Sequence, residues 1–210
     1  MNQTRVTTKD RILEILKKRV RVKVSELTEH LEITDMAVRK HLSIMEKDGL
    51  IQAKEIKLPM GRPTQMYSLS EKGERLFPKN YEGLSVEFMK EIRDLHGDES
   101  IVQLFQNRER RLSKEYSIRM EKRSSTEKIK EMAAIQNEKG YMADLIQIDK
   151  STFELIEYNC PIMAVAKEFK VACHCETSMF KTVLNTDHVK RTSCKTEGND
   201  HCKFLIKVNN

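Results

Sequence analysis

Cysteine is missing from the first 159 of 210 residues; all five cysteines fall between residues 160 and 202, beside three of the six histidines. No run approaches the roughly 18 apolar residues of a membrane span, and Met1–Val6 is polar rather than a secretory leader. These absences point to a cytoplasmic protein with no membrane partner. In a reducing compartment, clustered thiols bind metal or sense redox state more often than they form structural bridges. Disulfides are not needed for folding either, because a chain this long can bury a sizeable core. Glycine and proline are absent from residues 99–138, which therefore read as helical, in two pieces separated by the polar "EKRSSTEK", with Ser124 or Ser125 as cap of the second.

What is present begins with charge. The net charge is +6, and residues 1–78 carry most of it, with 16 Lys and Arg against 11 Asp and Glu. The N-terminal third is therefore the part expected to meet a polyanion. "TTKDRILEILKKR" reads as a helix with Thr8 as N-cap, and "KVSELTEHLEI" as a second opened by Ser25. "ITDMAVRKHLSIMEKDGLI" reads as a third, capped by Thr34, facing inward through Val38, Leu42 and Met45, and closed by Gly49.

The outer face of that third helix carries Met36, Ala37, Arg39, Lys40 and Ser43, which with Thr34 at its start are the expected DNA contacts. Short residues near a helix N-terminus let the backbone approach base edges, and basic ones serve phosphate or guanine. Two strands follow, Leu50–Ile56 and Gln65–Leu69, around "PMGRPT". Arg62 in that turn, with Lys57 nearby, is placed for a minor groove or a phosphate. Helix, helix, helix, strand, strand is a winged helix-turn-helix, assigned to residues 1–80, and its expected partner is double-stranded DNA.

Residues 81–140 read as a helical linker and dimerisation segment. Leu84, Phe88, Ile92 and Leu95 form one stripe, and residues 99–138 carry a thinner seam. A homodimer is expected, because winged-helix readers usually span two half-sites. Packing of these helices on a sheet of the same chain is the alternative.

Residues 141–210 read as a small α+β domain: two hairpins with a helical segment between them. Cys160 falls after a strand, Cys173 and Cys175 in a break between helical pieces, Cys194 in a strand, and Cys202 just past the "EGND" turn. His174, His188 and His201 add nitrogen donors. Thiolates are soft ligands suited to zinc and iron–sulfur clusters. Paired C-x₂₋₄-C knuckles and ferredoxin runs are both missing, so widely spaced single ligands fit a cluster held by a folded domain. Cys175 beside His174 could form a nucleophile pair, but neighbours in sequence do not make a positioned dyad. No enzyme is expected.

The stretches "MAVRKHLSIMEKDGLI", "GRPTQMYSLSEKGERLFP" and "NCP…C…C" closing with "HCKFLI" resemble the SufR-type transcriptional regulators, a branch of DeoR-like winged-helix proteins. The resemblance implies a dimeric repressor of iron–sulfur cluster assembly genes. Its C-terminal domain would hold a [4Fe-4S] or [2Fe-2S] cluster whose state controls DNA binding. The family's cysteine frame matches Cys160, Cys173 and Cys202. Its further cysteine falls on Asp187 here, so the fourth ligand is open among Cys194, Cys175, Asp187 and a histidine. Cys194 is the expected fourth ligand, because a hairpin around "EGND" brings it near Cys202. Zinc, or thiols alone, is the alternative.

Overall fold

The computed structural model describes residues 6–57 and 63–208. The chain forms two compact units, Met1–Lys79 and Asn80–Asn210.

The first unit opens with α1 (Thr8–Arg19). Its cap is Thr7, not Thr8. Thr7 Oγ1 accepts from Asp10 N at 3.2 Å, and the Asp10 carboxylate takes the Thr7 N–H at 2.9 Å. That reciprocal box sets the start one residue earlier than the sequence pattern suggests. Helix α2 (Val24–Leu31) follows Lys23, whose N–H donates to Glu26 Oε2 at 3.0 Å. Ser25 therefore sits inside the first turn and does not cap. Helix α3 (Asp35–Lys47) starts as expected, with Thr34 Oγ1 accepting from Ala37 N. Gly49, at φ +72°, lets the chain turn out of it.

Strands β1 (Ile51–Ile56) and β2 (Thr64–Leu69) pair antiparallel from Ile51 opposite Leu69 to Ile56 opposite Thr64. The turn between them, Arg62 included, lies outside the described residues. A short α4 (Glu71–Glu74) follows under a Ser70 cap. Gly73 is required there, since a Cβ would stand 2.1 Å from the Leu50 carbonyl oxygen. Ile12, Leu16, Leu27, Val38, Leu42 and Met45 close the core beneath the wing strands. This is a winged helix-turn-helix.

The second unit contains α5 (Tyr81–His96), α6 (Asp98–Arg119) and α7 (Ser125–Glu138), then β3 (Ala143–Gln147) and β4 (Thr152–Glu157). Helices α8 (Met163–Glu168) and α9 (Val171–Leu184) come next, followed by β5 (Val189–Ser193) and β6 (Cys202–Lys207). The sheet order is β3-β4-β6-β5, with every neighbour antiparallel. The whole chain is thus α+β: a winged helix, a helical middle and a small sheet.

Phe153, Leu155, Phe204 and Ile206 point from the sheet into one core with Phe180, Val183 and Leu184 of α9. The Phe180 and Phe204 rings meet edge to face at 4.9 Å. The seam of the long helices enters the same core: Leu112, Tyr116 and Met120 from the α6 end, Ile129, Met132 and Ile135 from α7. Their apolar surface is used inside this unit.

Two placements differ from expectation and matter for the site. Cys173 and Cys175 are not in a helix break but within α9. The break falls earlier, at Phe169 and Lys170, because Ala172, Glu176, Phe180 and Val183 recur at helical spacing through the cysteines. Cys194 lies one residue beyond β5, where it precedes a single 3₁₀ turn (Lys195–Glu197).

Candidate functional site

Two regions carry the expected chemistry, one in each unit. On α3, Met36, Arg39, Lys40 and Ser43 are exposed while Val38, Leu42 and Met45 are buried. Met36 is 82 % exposed, far more than an apolar side chain needs to be. Ala37 is half-buried, and the Thr34 hydroxyl is engaged as the cap. Arg39 Nε donates to Asp35 Oδ1 at 2.5 Å, one turn back. That carboxylate raises the Arg39 pKa and holds the guanidinium along the outer face. Lys57 is exposed just past β1. Arg62 lies outside the described residues.

In the second unit, the topology carries four cysteines to one end of the sheet. Cys202 begins β6 and pairs in register with Glu157 at the end of β4. Cys160 follows β4 by three residues, Cys194 follows β5 by one, and Cys173 stands in the first turn of α9. Cys173 Sγ and Cys194 Sγ are 4.0 Å apart, with Thr196 Oγ1 3.8 Å from the first and 3.2 Å from the second. Cys202 Sγ accepts from Lys195 N at 3.4 Å. Burial raises Cys202 to about 12 and Cys160 to about 11, and each feels the charge of a neighbouring cysteine, Cys194 and Cys173 respectively. Burial also raises Cys173. Cys194 behaves differently. Burial pushes its thiol up, but hydrogen bonds from Thr196 and Arg191 outweigh burial and leave it below the ordinary thiol value.

Cys175 points elsewhere. Two residues along a helix, side chains face nearly opposite ways. Burial and a hydrogen bond to Glu109 on α6 raise this thiol to about 11. Asp187 is exposed and precedes β5, whereas Cys194 follows it. At about 3.3 Å per strand residue, the two are separated by roughly 20 Å. His188 shares that far end. His201 stacks loosely with Tyr158, and His174 is exposed on α9.

Sequence reasoning missed the residue at the centre of this group. Arg191 donates to Cys194 Sγ at 3.5 Å, to the Cys173 carbonyl at 2.9 Å and to Glu176 Oε2 at 2.8 Å. The Arg191 and Glu176 side chains are only 12 % and 11 % exposed. Burial works against the Arg191 charge, and Glu176 with the two thiols more than restores it. A signal was available. Arg191 alternates onto the same strand face as Val189, and Glu176 falls on the buried stripe of α9.

Beside this pair, Gln136 Nε2 donates to Glu157 Oε1 at 2.6 Å. Gln136 Oε1, Glu157 Oε2 and Arg191 Nε are buried without a protein partner. Cys173, Cys194 and Arg191 also line an open groove of about 670 Å³ with Lys170, His174 and Lys181. Among the described residues, no group of three or more His, Cys, Asp or Glu side chains is arranged to hold a single metal ion as it stands. No helix among them is long and apolar enough to cross a membrane.

Residues 7–53 match the family described as bacterial regulatory protein, arsR family. The match runs from α1 into β1, so the helix-turn-helix is of that kind. No curated protein matches the sequence. Among solved structures, the chain is similar to the adhesin competence repressor AdcR of Streptococcus pyogenes. Identity is 17 %, over 48 % of this chain and 74 % of that one, with a TM-score of 0.29. It is similar to Bacillus subtilis PadR in complex with operator DNA at 11 % identity, over 83 % and 98 %, with a TM-score of 0.30. It is also similar to a trafficking protein particle complex subunit 3 from Naegleria fowleri, covalently bound to palmitic acid. There the identity is 12 %, over 62 % and 96 %, with a TM-score of 0.37.

Proposed function

We propose that this chain is a homodimeric, DNA-binding repressor whose second unit holds an iron–sulfur cluster through Cys160, Cys173, Cys194 and Cys202, and that it controls cluster assembly genes. The observation that supports this reading is the placement of four cysteines from four separate segments at one end of the sheet, two of them with sulfurs 4.0 Å apart, while the fifth turns toward Glu109 on α6. Soft donors gathered from distant segments are what a bound thiophilic group needs and what a packed core does not.

The spacing favours a cluster over one ion. Tetrahedral zinc with bonds near 2.3 Å requires sulfurs about 3.8 Å apart. Cys173 and Cys194 meet that distance, yet no third donor among the described residues closes on the same point. A polynuclear cluster spreads its ligands over several irons and supplies electron-transfer or sensing chemistry when bound. Arg191, pinned by Glu176, would then place a charged donor on a ligating sulfur, the contact that tunes such centres. Zinc remains a second reading through the Cys173–Cys194 spacing alone.

DNA contact is assigned to α3, through Met36, Ala37, Arg39, Lys40 and Ser43, and to the wing, through Lys57 and Arg62. The homodimer has support from α5, where Leu84, Phe88 and Leu95 are 41 %, 59 % and 74 % exposed along one stripe and no residue is buried.

The test is anaerobic purification followed by absorbance spectroscopy and operator gel shifts with and without cluster. Broad absorbance at about 400 nm, with operator affinity that changes on cluster removal, is the expected result. A colourless protein whose operator affinity ignores iron and sulfide would overturn the reading.

A further inference from the structure

We infer that, in the cluster-free protein, Cys173 and Cys194 form a reversible disulfide with each other under hydroperoxide. The inference concerns the same site as the cluster reading and rests on it only for what the disulfide would block.

The geometry selects this pair. Cys173 Sγ and Cys194 Sγ are in contact at 4.0 Å. Closing to a disulfide bond of about 2.0 Å needs a movement of about 1 Å by each sulfur. Cys202 Sγ is turned to the Lys195 N–H, and Cys175 faces α6. Both residues of the pair line the open groove of about 670 Å³; Cys194 is buried and Cys173 only half-buried, so a small oxidant meets the pair from the Cys173 side. Thr196 Oγ1 and Arg191 Nη1 hold Cys194 Sγ in place toward Cys173.

The chemistry balances with a hydroperoxide as the two-electron oxidant. One thiol of the pair attacks the peroxide oxygen. The O–O bond breaks, an alcohol or water leaves, and a sulfenic acid forms. The second thiol then attacks the sulfenic sulfur, the S–O bond breaks, and water departs with the thiol proton. Two thiols have been oxidised and one peroxide reduced. A dithiol reductant reverses the bond by exchange.

Formation of the disulfide removes two of the four proposed cluster ligands. It also ties the first turn of α9 to the end of β5. A cell short of iron and rich in peroxide would thereby hold the protein in a form that cannot load a cluster until reduced.

The experiment uses the full chain, metal-free and reduced, treated with hydrogen peroxide under anaerobic conditions. Free thiols should fall from five to three per chain. Trypsin separates the partners, since residues 192–195 contain Cys194 alone and residues 196–203 contain Cys202 alone. A crosslink between residues 171–181 and 192–195 is expected, and it should persist in Cys175→Ser, which leaves Cys173 as the sole thiol of the first peptide. It should vanish in Cys194→Ser. A crosslink that involves Cys160 or Cys202 instead, or oxidation without any intrachain crosslink, would overturn the inference. Iron and sulfide are then added before and after dithiol reduction. If the reduced protein takes up neither, the cluster reading fails while the disulfide result stands. If the oxidised protein loads as fully as the reduced one, the blocking role is refuted.

Discussion

Arg191 holds three groups at once: the Glu176 carboxylate, the Cys173 carbonyl and the Cys194 sulfur. Its guanidinium also lies over the Phe204 ring, its central carbon 4.6 Å from the centroid. Arg191→Met keeps much of the bulk and removes the charge, which leaves the buried Glu176 carboxylate without its ion-pair partner and with the Tyr141 hydroxyl still bonded to it. Breaking a buried pair from one side costs about 3–5 kcal/mol, so urea unfolding of this variant should show a loss of that order. Arg191→Met combined with Glu176→Gln should recover most of it, because the stranded charge is gone. If the double variant is no more stable than the single one, the loss comes from packing on Phe204. At the other unit, Arg39→Ala should leave folding unchanged, since the side chain is exposed and its ion pair is with Asp35, one turn back on the same helix. Operator affinity should drop about ten- to a hundred-fold with weaker discrimination among sites, as expected when a base-reading group is removed. Binding equal to wild type would remove α3 from the recognition role.

Each helix states its own boundaries and faces with different clarity. The start of α7 is one that the sequence declares: Ser124 caps it, and Glu127 returns a bond to the Ser124 N–H at 2.8 Å. The Ser124 hydroxyl and backbone N–H hold the Glu127 pKa below its usual value. A lowered folded-state pKa gives stability that is present above the unfolded pKa and lost as pH falls through the folded one. Glu127→Gln should therefore show a shallower loss of stability on acidification below the ordinary glutamate range, followed by urea midpoint against pH. An unchanged slope would mean that the box adds no pH-dependent stability. Helix α5 makes the opposite kind of statement, with a stripe that its own unit leaves uncovered. Phe88→Glu should shift the protein toward monomer in sedimentation equilibrium while the fold stays intact. A dimer as tight as wild type would place the interface elsewhere. The start of α9 shows where pattern reading fails. Two cysteines and a histidine in a row look like an interruption, but cysteine costs a helix little. The stripe of Ala172, Glu176, Phe180 and Val183 carries the helix through them.

At the scale of the molecule, the winged helix was legible because each of its signals is local. Thr34 caps, Gly49 turns, and Val38, Leu42 and Met45 mark the inner face within thirteen residues. The second unit was legible in its hairpins but not in its assembly. Nothing local says that the α6 and α7 seams meet Phe153 and Phe204, which lie far along the chain. The placement of Cys160, Cys173, Cys194 and Cys202 at one end of the sheet depends on the order β3-β4-β6-β5, which periodicity alone does not fix. Arg191 and Glu176 were overlooked for a related reason: charged residues on buried registers make sense only once both partners are in place. Everything proposed for the second unit turns on whether these four cysteines hold an iron–sulfur cluster. The most direct measurement is iron and sulfide per chain after anaerobic reconstitution of the five single Cys→Ser variants. Cys160→Ser, Cys173→Ser, Cys194→Ser and Cys202→Ser should lose the cluster, while Cys175→Ser should keep wild-type content. Full content in all five, or loss in Cys175→Ser with retention in Cys194→Ser, would contradict it.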